Sequence, residues 1–242
     1  KNESGEYNTH VYIYDNNGNS TKIEKKINVP KAVARINTTY YTTLASAISA
    51  AGTTNSTIVM LANVSENVTV NSGQNIAINL NSYTVSSSNS TSIITNKGTL
   101  YISNGTLSTT SGTGNAITNS GTLTISDGTV SGITRAIYNA SGNTSIIGGT
   151  VKTVGTSGSG ASYTVEGKAG NIYISAGTVS ADQGSSTNRA LAVYIHDSAN
   201  LTVSGTAIIK GTHTGIQGSG SGTIKIQGGT ISSEKVLSGD SY

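Results

Sequence analysis

The sequence contains no cysteine, phenylalanine or tryptophan, and only one proline and one methionine among its 242 residues. Without cysteine the chain has no disulfide framework, no thiolate metal site and no thiol nucleophile. Charged residues make up 10% of the chain, and the net charge of +3 is not concentrated in a basic cluster, so nucleic acid is not an expected partner. No apolar run reaches the roughly 18 residues of a membrane span, and Lys1 does not open an apolar signal segment. We therefore expect no membrane insertion, and we expect any targeting signal to lie outside this chain.

Four small or polar residue types dominate what is present. Gly, Ser, Thr and Asn together fill 126 positions, just over half of the chain. Such a composition also occurs in disordered stalks. Here, however, β-branched and other apolar residues recur at regular spacing, which indicates a folded internal repeat.

The repeat follows the pattern G-T-[LI]-x-I, with weaker copies that keep the apolar positions. Each copy contains three short apolar runs, and alternation with period 2 in these runs is typical of β-strands. A glycine between the first and second runs fits a corner that needs a positive φ. The copies begin 21 to 29 residues apart, at Ile76, Gly98, Gly121, Gly142, Gly170, Ala199 and Gly222.

Aligning the copies predicts which residues stack on one another. The third run extends from Ile93 and Ile94 to Ile216. Asn96 and Asn119 share a corner position, where stacked amides would bond along the axis. The first run is predicted to stack Ile78, Leu100, Leu123, Thr144, Ile172, Leu201 and Ile224, and the second run Val85, Leu107, Val130, Val151, Val179, Ala207 and Ile231.

Three strands per repeat, stacked in register, predict an all-β fold of one type. We expect residues 34–242 to form a single-stranded parallel β-helix of about seven three-strand coils. Parallel crossover connections are almost always right-handed, so the helix is predicted to be right-handed. No cofactor is expected, and a monomer is the expected state.

Two segments lie outside the repeat. A capping helix is predicted over residues 42–51, with Thr42 or Thr43 as the N-cap and Gly52 as the stop. Residues 1–33 are predicted to form a β-hairpin and a linker, with Asp15–Gly18 as the turn. Because an isolated hairpin is marginally stable, this one is expected either to pack on the body of the β-helix or to be the end of a β-sandwich repeat module.

The order of these segments resembles a known family. ARINTTYYTTLASAISAAG, TIVMLANVSENVTV and IITNKGTLYISNGTL are similar to the N-terminal part of pectin-lyase-like right-handed β-helices, and more closely to those of large surface proteins of Gram-positive gut bacteria. The hairpin EYNTHVYIYDNNGN resembles the last strands of an immunoglobulin-like cell-surface repeat. The chain departs from the pattern at Asn81–Thr84, where those proteins usually carry a glycine. The resemblance implies an extracellular location at the cell wall or cell surface.

The densest polar set lies at one corner of adjacent coils. Lys168 and Asp197 are predicted to share a corner column there, with Glu166 and His196 beside them. A glycosidase needs two carboxylates about 5–9 Å apart on one face, and Glu166 with Asp197 is the candidate pair. The simpler interpretation is an ion pair between Lys168 and Asp197. No catalytic residue and no metal ligand is assigned.

Two coils are longer than the others. The additional residues fall at 153–161 and 181–190, between the second and third runs, so the insertions are predicted to project side by side. Binding sites concentrate on such loops. The candidate binding residues are Asp182, Gln183, Asn188 and Arg189 in the insertions, together with Glu166, Lys168, His196 and Asp197 at the corner described above.

These features predict a non-catalytic, secreted structural or adhesive module of a bacterial surface protein, a rigid spacer or a binding rod. Its expected partner is a glycan or protein of a host or cell surface. The alternative is a carbohydrate-active β-helix, a polysaccharide lyase or hydrolase, or an accessory module of a cell-wall hydrolase. Ice binding through threonine-rich faces is a weaker third hypothesis, because outward Thr-x-Thr pairs do not repeat cleanly.

Overall fold

The computed structural model describes residues 5–111, 113–155, 161–183 and 189–233. The regular secondary structure of the described part consists of β-strands and one helix, α1, at Leu44–Ala51. The strands before the helix are β1 (Gly5–Tyr14), β2 (Ser20–Val29), β3 (Ala34–Ile36) and β4 (Thr39–Tyr41). Those after it are β5 (Ser56–Met60), β6 (Val64–Ser65), β7 (Val68–Val70), β8 (Asn75–Asn79), β9 (Thr84–Ser87), β10 (Ile94–Asn96), β11 (Thr99–Ser103), β12 (Thr106–Thr109), β13 (Ile117–Asn119), β14 (Thr122–Ile125), β15 (Thr129–Gly132), β16 (Arg135–Asn139), β17 (Asn143–Gly155), β18 (Ser162–Gly167), β19 (Asn171–Gln183), β20 (Ala190–Ile195), β21 (Asn200–Val203), β22 (Ile208–Gly211), β23 (Thr214–Gly218), β24 (Ile224–Ile226) and β25 (Thr230–Ser233).

Two large sheets, formed mostly by parallel pairing, build the body of the protein. One has seven strands in the order β7, β10, β13, β16, β18, β20, β23, and every pairing within it is parallel. The other has 16 strands and takes up the first and second strands of successive repeats. The prediction of an all-β fold with large, mostly parallel sheets is therefore confirmed.

The register of the third run follows the prediction. The aligned apolar positions pair from strand to strand and point into the core, where their side chains are fully or almost fully buried in all but the last strand. Because apolar residues of successive repeats contact one another, each repeat buries the face that its neighbour leaves open. The paired residues are Val68, Ile94, Ile117, Ile137, Val165, Val193 and Ile216.

Two predicted registers were wrong, each by two residues. Leu100 pairs with Ile76 rather than with Ile78, and Val179 pairs with Ile209 rather than with Ala207. A shift of two keeps the same side chains on the buried face, so the apolar pattern alone does not distinguish the registers. The corner before the second strand takes up the difference: Val85 follows Ile76 by two residues more than Leu107 follows Leu100, and Ile209 follows Leu201 by one residue more than Val179 follows Ile172.

The corners between the first and second strands use positive φ as expected. The glycine adopts a φ between 58° and 86° at positions 128, 149, 177, 205 and 229. At the remaining corner Asn104 takes the positive φ of 59°, and Gly105 is needed for space, because a Cβ there would lie 2.4 Å from the Cβ of Leu80. Asn81 and Ser82, at the corner of the first copy of the repeat, adopt φ values of 50° and 66°.

The cap at the beginning of the repeats contains the predicted helix. Thr43 is the N-cap, its hydroxyl accepts a hydrogen bond from the amide of Ser46, and Gly52 follows the last turn with a φ of 59°. The helix buries Leu44, Ala47, Ile48 and Ala51 against the first repeat. An antiparallel hairpin of β3 and β4, which was not predicted, pairs through β3 with β5 and covers its edge.

The predicted N-terminal hairpin is present as a separate two-stranded sheet. Strands β1 and β2 pair antiparallel over ten residue pairs, from Gly5 with Val29 to Tyr14 with Ser20. The Asp15 carboxylate holds the turn, because it accepts hydrogen bonds from the amides of Asn17 and Asn19 at 2.9 Å. Residues 1–4 lie outside the described part.

Candidate functional site

A group of aromatic and charged side chains covers the solvent side of the seven-stranded sheet. Their positions follow from the alternation of β16, β18 and β20, in which Ile137, Val165 and Val193 point into the core. Residues 138, 166 and 194 pair across these three strands on the opposite side. We call this group the outer patch; it consists of Arg135, Tyr138, Tyr163, Glu166, Tyr194 and His196.

Glu166 is the buried centre of the outer patch. The residue is 7% exposed, which is unusual for a carboxylate and requires partners for both oxygens. Oε2 accepts a hydrogen bond from Nε of Arg135, and Oε1 lies 3.2 Å from Nε2 of His196. The carboxylate therefore joins two side chains that come from different strands.

His196 lies between the two carboxylates that were proposed as a catalytic pair. Its Nδ1 is 3.1 Å from Oδ1 of Asp197, and its Nε2 faces Glu166. A neutral imidazole donates one hydrogen bond, whereas an imidazolium donates to both carboxylates at once. The imidazole ring occupies the space between Glu166 and Asp197, where a glycosidase would need to place the glycosidic bond.

Aromatic rings stack across the strands beside this ionic group. The ring centroids of Tyr163 and Tyr194 are 4.9 Å apart, and those of Tyr194 and His196 are 5.2 Å apart. The guanidinium carbon of Arg135 lies 5.6 Å from the ring centroid of Tyr138 and 5.9 Å from that of Tyr163. These cation–π and stacking contacts hold the side chains of neighbouring repeats in fixed positions.

Of the residues predicted at this corner, three come together and one does not. Glu166, His196 and Asp197 form the continuous chain of contacts described above. Lys168 is exposed, and no ion pair joins it to Asp197 in the part of the chain that the structure describes. The backbone explains this outcome, because the register that pairs Gly167 with Ile195 places Lys168 opposite His196.

The two insertions begin and end side by side, as far as the structure describes them. Val154 pairs with Asp182, whose side chain is exposed, and Gly155 pairs with Gln183. Arg189 donates from Nη2 to Oε1 of Gln217 at 2.7 Å, next to the outer patch. The side chain of Gln183 and the whole of Asn188 lie outside the described residues.

Sequence reasoning missed Arg135 and the three tyrosines of the outer patch. Arg135 precedes Glu166 by 31 residues, and their contact depends on the register of β16 and β18. One signal was available: residues 138 and 194 are tyrosines at equivalent positions of repeats that flank Glu166. These two large aromatic residues differ from the aligned residues of the first three strands, which are Thr69, Thr95 and Thr118.

Three clefts of the described part are lined almost entirely by uncharged side chains. Their volumes are about 230, 310 and 440 Å³. Lys97, in the largest, is the one ionisable residue that lines any of these three. Across the described ranges no group of three or more His, Asp or Glu residues is arranged to hold a metal ion, and no helix is long and apolar enough to cross a membrane.

Comparison with known proteins adds no family to these observations. No family model, no curated protein and no solved structure matches the chain. Function is therefore inferred from the fold and from the outer patch.

Proposed function

We propose that the chain is a non-catalytic structural and adhesive module of an extracellular protein, a rigid rod that presents the outer patch to a partner. Adhesion to a host surface or to a neighbouring cell fits a chain whose surface is polar and carries few charges. The observation that carries the proposal is the outer patch itself. Three tyrosines and an arginine lie on the solvent side of a sheet whose first three strands carry Thr69, Thr95 and Thr118 at the aligned outward position.

The rod is proposed to be a right-handed, single-stranded parallel β-helix of about seven coils, of the pectin-lyase-like type found in Gram-positive surface proteins. This architecture is supported by the two large, mostly parallel sheets, because the strands of each successive repeat are divided between them. Strands of neighbouring coils lie about 4.8 Å apart, so seven coils extend to about 34 Å. Continuous backbone ladders of this kind resist proteolysis and stretching, as a spacer requires.

The engagement of both carboxylates supports a non-catalytic role. A general acid in a glycosidase must reach the leaving-group oxygen, and the second carboxylate must reach water or the sugar. Glu166 is instead bound by Arg135 and faces His196, and Asp197 is occupied by the same imidazole.

The adhesive proposal is tested by binding of the purified chain to an array of glycans and matrix proteins. The test variant is Tyr163→Ala combined with Tyr194→Ala. The matched control is Tyr101→Ala combined with Tyr173→Ala, because these two tyrosines are exposed on the other sheet. We expect binding that falls at least about tenfold in the test variant and is unchanged in the control. Absence of any binding by the folded chain would leave only the spacer.

A carbohydrate-active β-helix, or an accessory module of a cell-wall hydrolase, is the second candidate. The convergence of Glu166 and Asp197 on His196 favours it over other enzymes. Its test is the release of reducing or unsaturated ends from polysaccharides by the wild type, by Glu166→Ala and by Asp197→Ala. Cleavage that survives fully in both variants excludes these residues as catalysts.

A further inference from the structure

We propose that the outer patch, in the adhesive module proposed above, docks a protein and holds an aspartate or glutamate side chain of that protein against Arg135. The inference names the partner class and the recognised group, and it depends on the module being a binding rod. It rests on the free donors of Arg135, on the way that this side chain is held, and on the aromatic faces that are already covered.

Arg135 retains donors for an anion. A guanidinium carries five N–H donors, and Nε uses its one to bind Glu166. The terminal groups Nη1 and Nη2 donate to no residue in the part of the chain that the structure describes, and the side chain is 36% exposed. Two parallel N–H groups on a planar fork match the geometry of a carboxylate.

The arginine is also held in place before a partner arrives. The Glu166 carboxylate fixes its Nε, and the rings of Tyr138 and Tyr163 lie within 6 Å of the guanidinium carbon. A free arginine side chain loses rotamer entropy on binding, and a side chain that is already ordered loses less of it. Glu166 is therefore a positioning residue for Arg135.

The ring contacts favour a protein over a sugar. A sugar packs its C–H groups on an open aromatic face, but Tyr163 and Tyr194 stack on each other, and Tyr194 also stacks on His196. Arg135 lies over the ring of Tyr163 as well. One face of Tyr138, the ring edges, the phenol hydroxyls and Arg135 remain, and the hydroxyl of Tyr194 already bonds to Ser219. Tyrosine and arginine are enriched at the energetic centres of protein interfaces.

The partner must be recognised through side chains rather than by strand addition. Strand β16 pairs with β13 and β18, β18 pairs with β16 and β20, and β20 pairs with β18 and β23. Both edges of the three strands that carry the outer patch are thus occupied, so no backbone row is open to a new strand. A carboxylate at Arg135 then supplies the directional contact.

The experiment measures binding of the whole chain to synthetic peptides in matched pairs, one with Asp or Glu and one with Asn or Gln at the same positions. Removing Arg135 alone leaves the buried Glu166 without its cation, which is strongly destabilising. The main variant is therefore Arg135→Gln combined with Glu166→Gln, which removes both charges, keeps the shape of residue 166 and leaves a shorter polar side chain at position 135. Arg35→Gln, which removes the same charge from β3 at the end of the other sheet, is the control.

We expect acidic peptides to bind the wild type and the Arg35→Gln control at least about tenfold more tightly than their amide counterparts, and the double variant to lose this preference. The proposal is overturned by any one of three results. These are equal binding of both members of each peptide pair, an acid preference that survives in the double variant, and no peptide binding by the folded chain. Binding of a carboxylated or sulfated glycan in place of any peptide also overturns it. That last result is consistent with the adhesive function. Absence of binding to every glycan and matrix protein on the array, in contrast, contradicts the adhesive function itself.

Discussion

The side-chain amide of Asn119 donates a hydrogen bond to the side-chain oxygen of Asn139, 2.9 Å away in the next repeat. The oxygen of Asn119 in turn accepts from the amide of Asn96, at 2.8 Å, in the preceding repeat. All three side chains are fully buried, and Asn139 ends the row by donating to the carbonyl of Ala169. The predicted stacking of Asn96 on Asn119 is thus confirmed, and it extends over three repeats.

Replacing Asn119 with alanine is expected to destabilise the fold more than its small volume suggests. The change removes one hydrogen bond from each of the buried side chains of Asn96 and Asn139, which keep only Thr122 and Thr144 as partners of the affected atoms. An incompletely satisfied buried polar group costs about 1–3 kcal/mol. We predict a loss of about 3 kcal/mol in the free energy of unfolding, measured by urea denaturation. The control is Thr124→Ala on the solvent side of β14, expected within about 0.5 kcal/mol of the wild type. Equal stability of the two variants would show that the row contributes nothing.

Glu66 is predicted to hold the capping helix on the first repeat. Its two carboxylate oxygens accept hydrogen bonds from the backbone amides of Leu44 and Ala45, at 3.0 and 3.1 Å. These amides have no partner within the helix, and negative charge at a helix N-terminus is favourable. Glu66→Ala is expected to cost about 1 kcal/mol and to speed hydrogen exchange at both amides.

The matched control for the capping helix is Asp127→Ala, which removes an exposed acid from a corner between two strands. Hydrogen exchange at Leu44 and Ala45 is expected to remain slow in this variant. Unchanged exchange in Glu66→Ala as well would contradict the capping role.

The hairpin turn is predicted to weaken in acid. A hydrogen bond from the side chain of Asn19, joined by bonds from the turn amides, lowers the pKa of Asp15 below its ordinary value of 3.8. Because the folded-state pKa is the lower one, the stabilisation by Asp15 is fully present above pH 3.8 and is lost as the pH falls through the folded-state pKa. Carboxyl-carbon NMR is expected to give a pKa below 3.8 for Asp15 in the wild type and a higher pKa in Asn19→Ala. Identical values in the two proteins would remove Asn19 as the cause.

Periodicity predicted the elements whose causes are local. The alternation of apolar residues identified the strands, and the corner glycines predicted backbone of positive φ. Thr42 or Thr43 at one end and Gly52 at the other predicted the bounds of the helix. The hairpin turn was predictable for the same reason, since Asp15 bonds to amides two and four residues away.

Contacts that depend on register could not be read in the same way. A two-residue shift leaves the apolar face intact, which is why Ile76 rather than Ile78 pairs with Leu100. The partnership of Arg135 with Glu166, and of Glu66 with the helix, joins residues more than 20 positions apart. Each depends on how corners of different length place one repeat on the next, and the sequence pattern does not report those lengths.

The stacking of all repeats into one rigid rod is tested most directly by a distance measurement. The chain has no native cysteine, so spin labels can be attached to cysteines introduced at Thr69 and Gln217 alone. These positions belong to one row of paired residues that crosses β7, β10, β13, β16, β18, β20 and β23. Six strand spacings of about 4.8 Å separate their backbones by about 29 Å. Pulsed electron resonance is predicted to give one narrow distribution near this distance, and a broad distribution or a clearly different mean would contradict the rod.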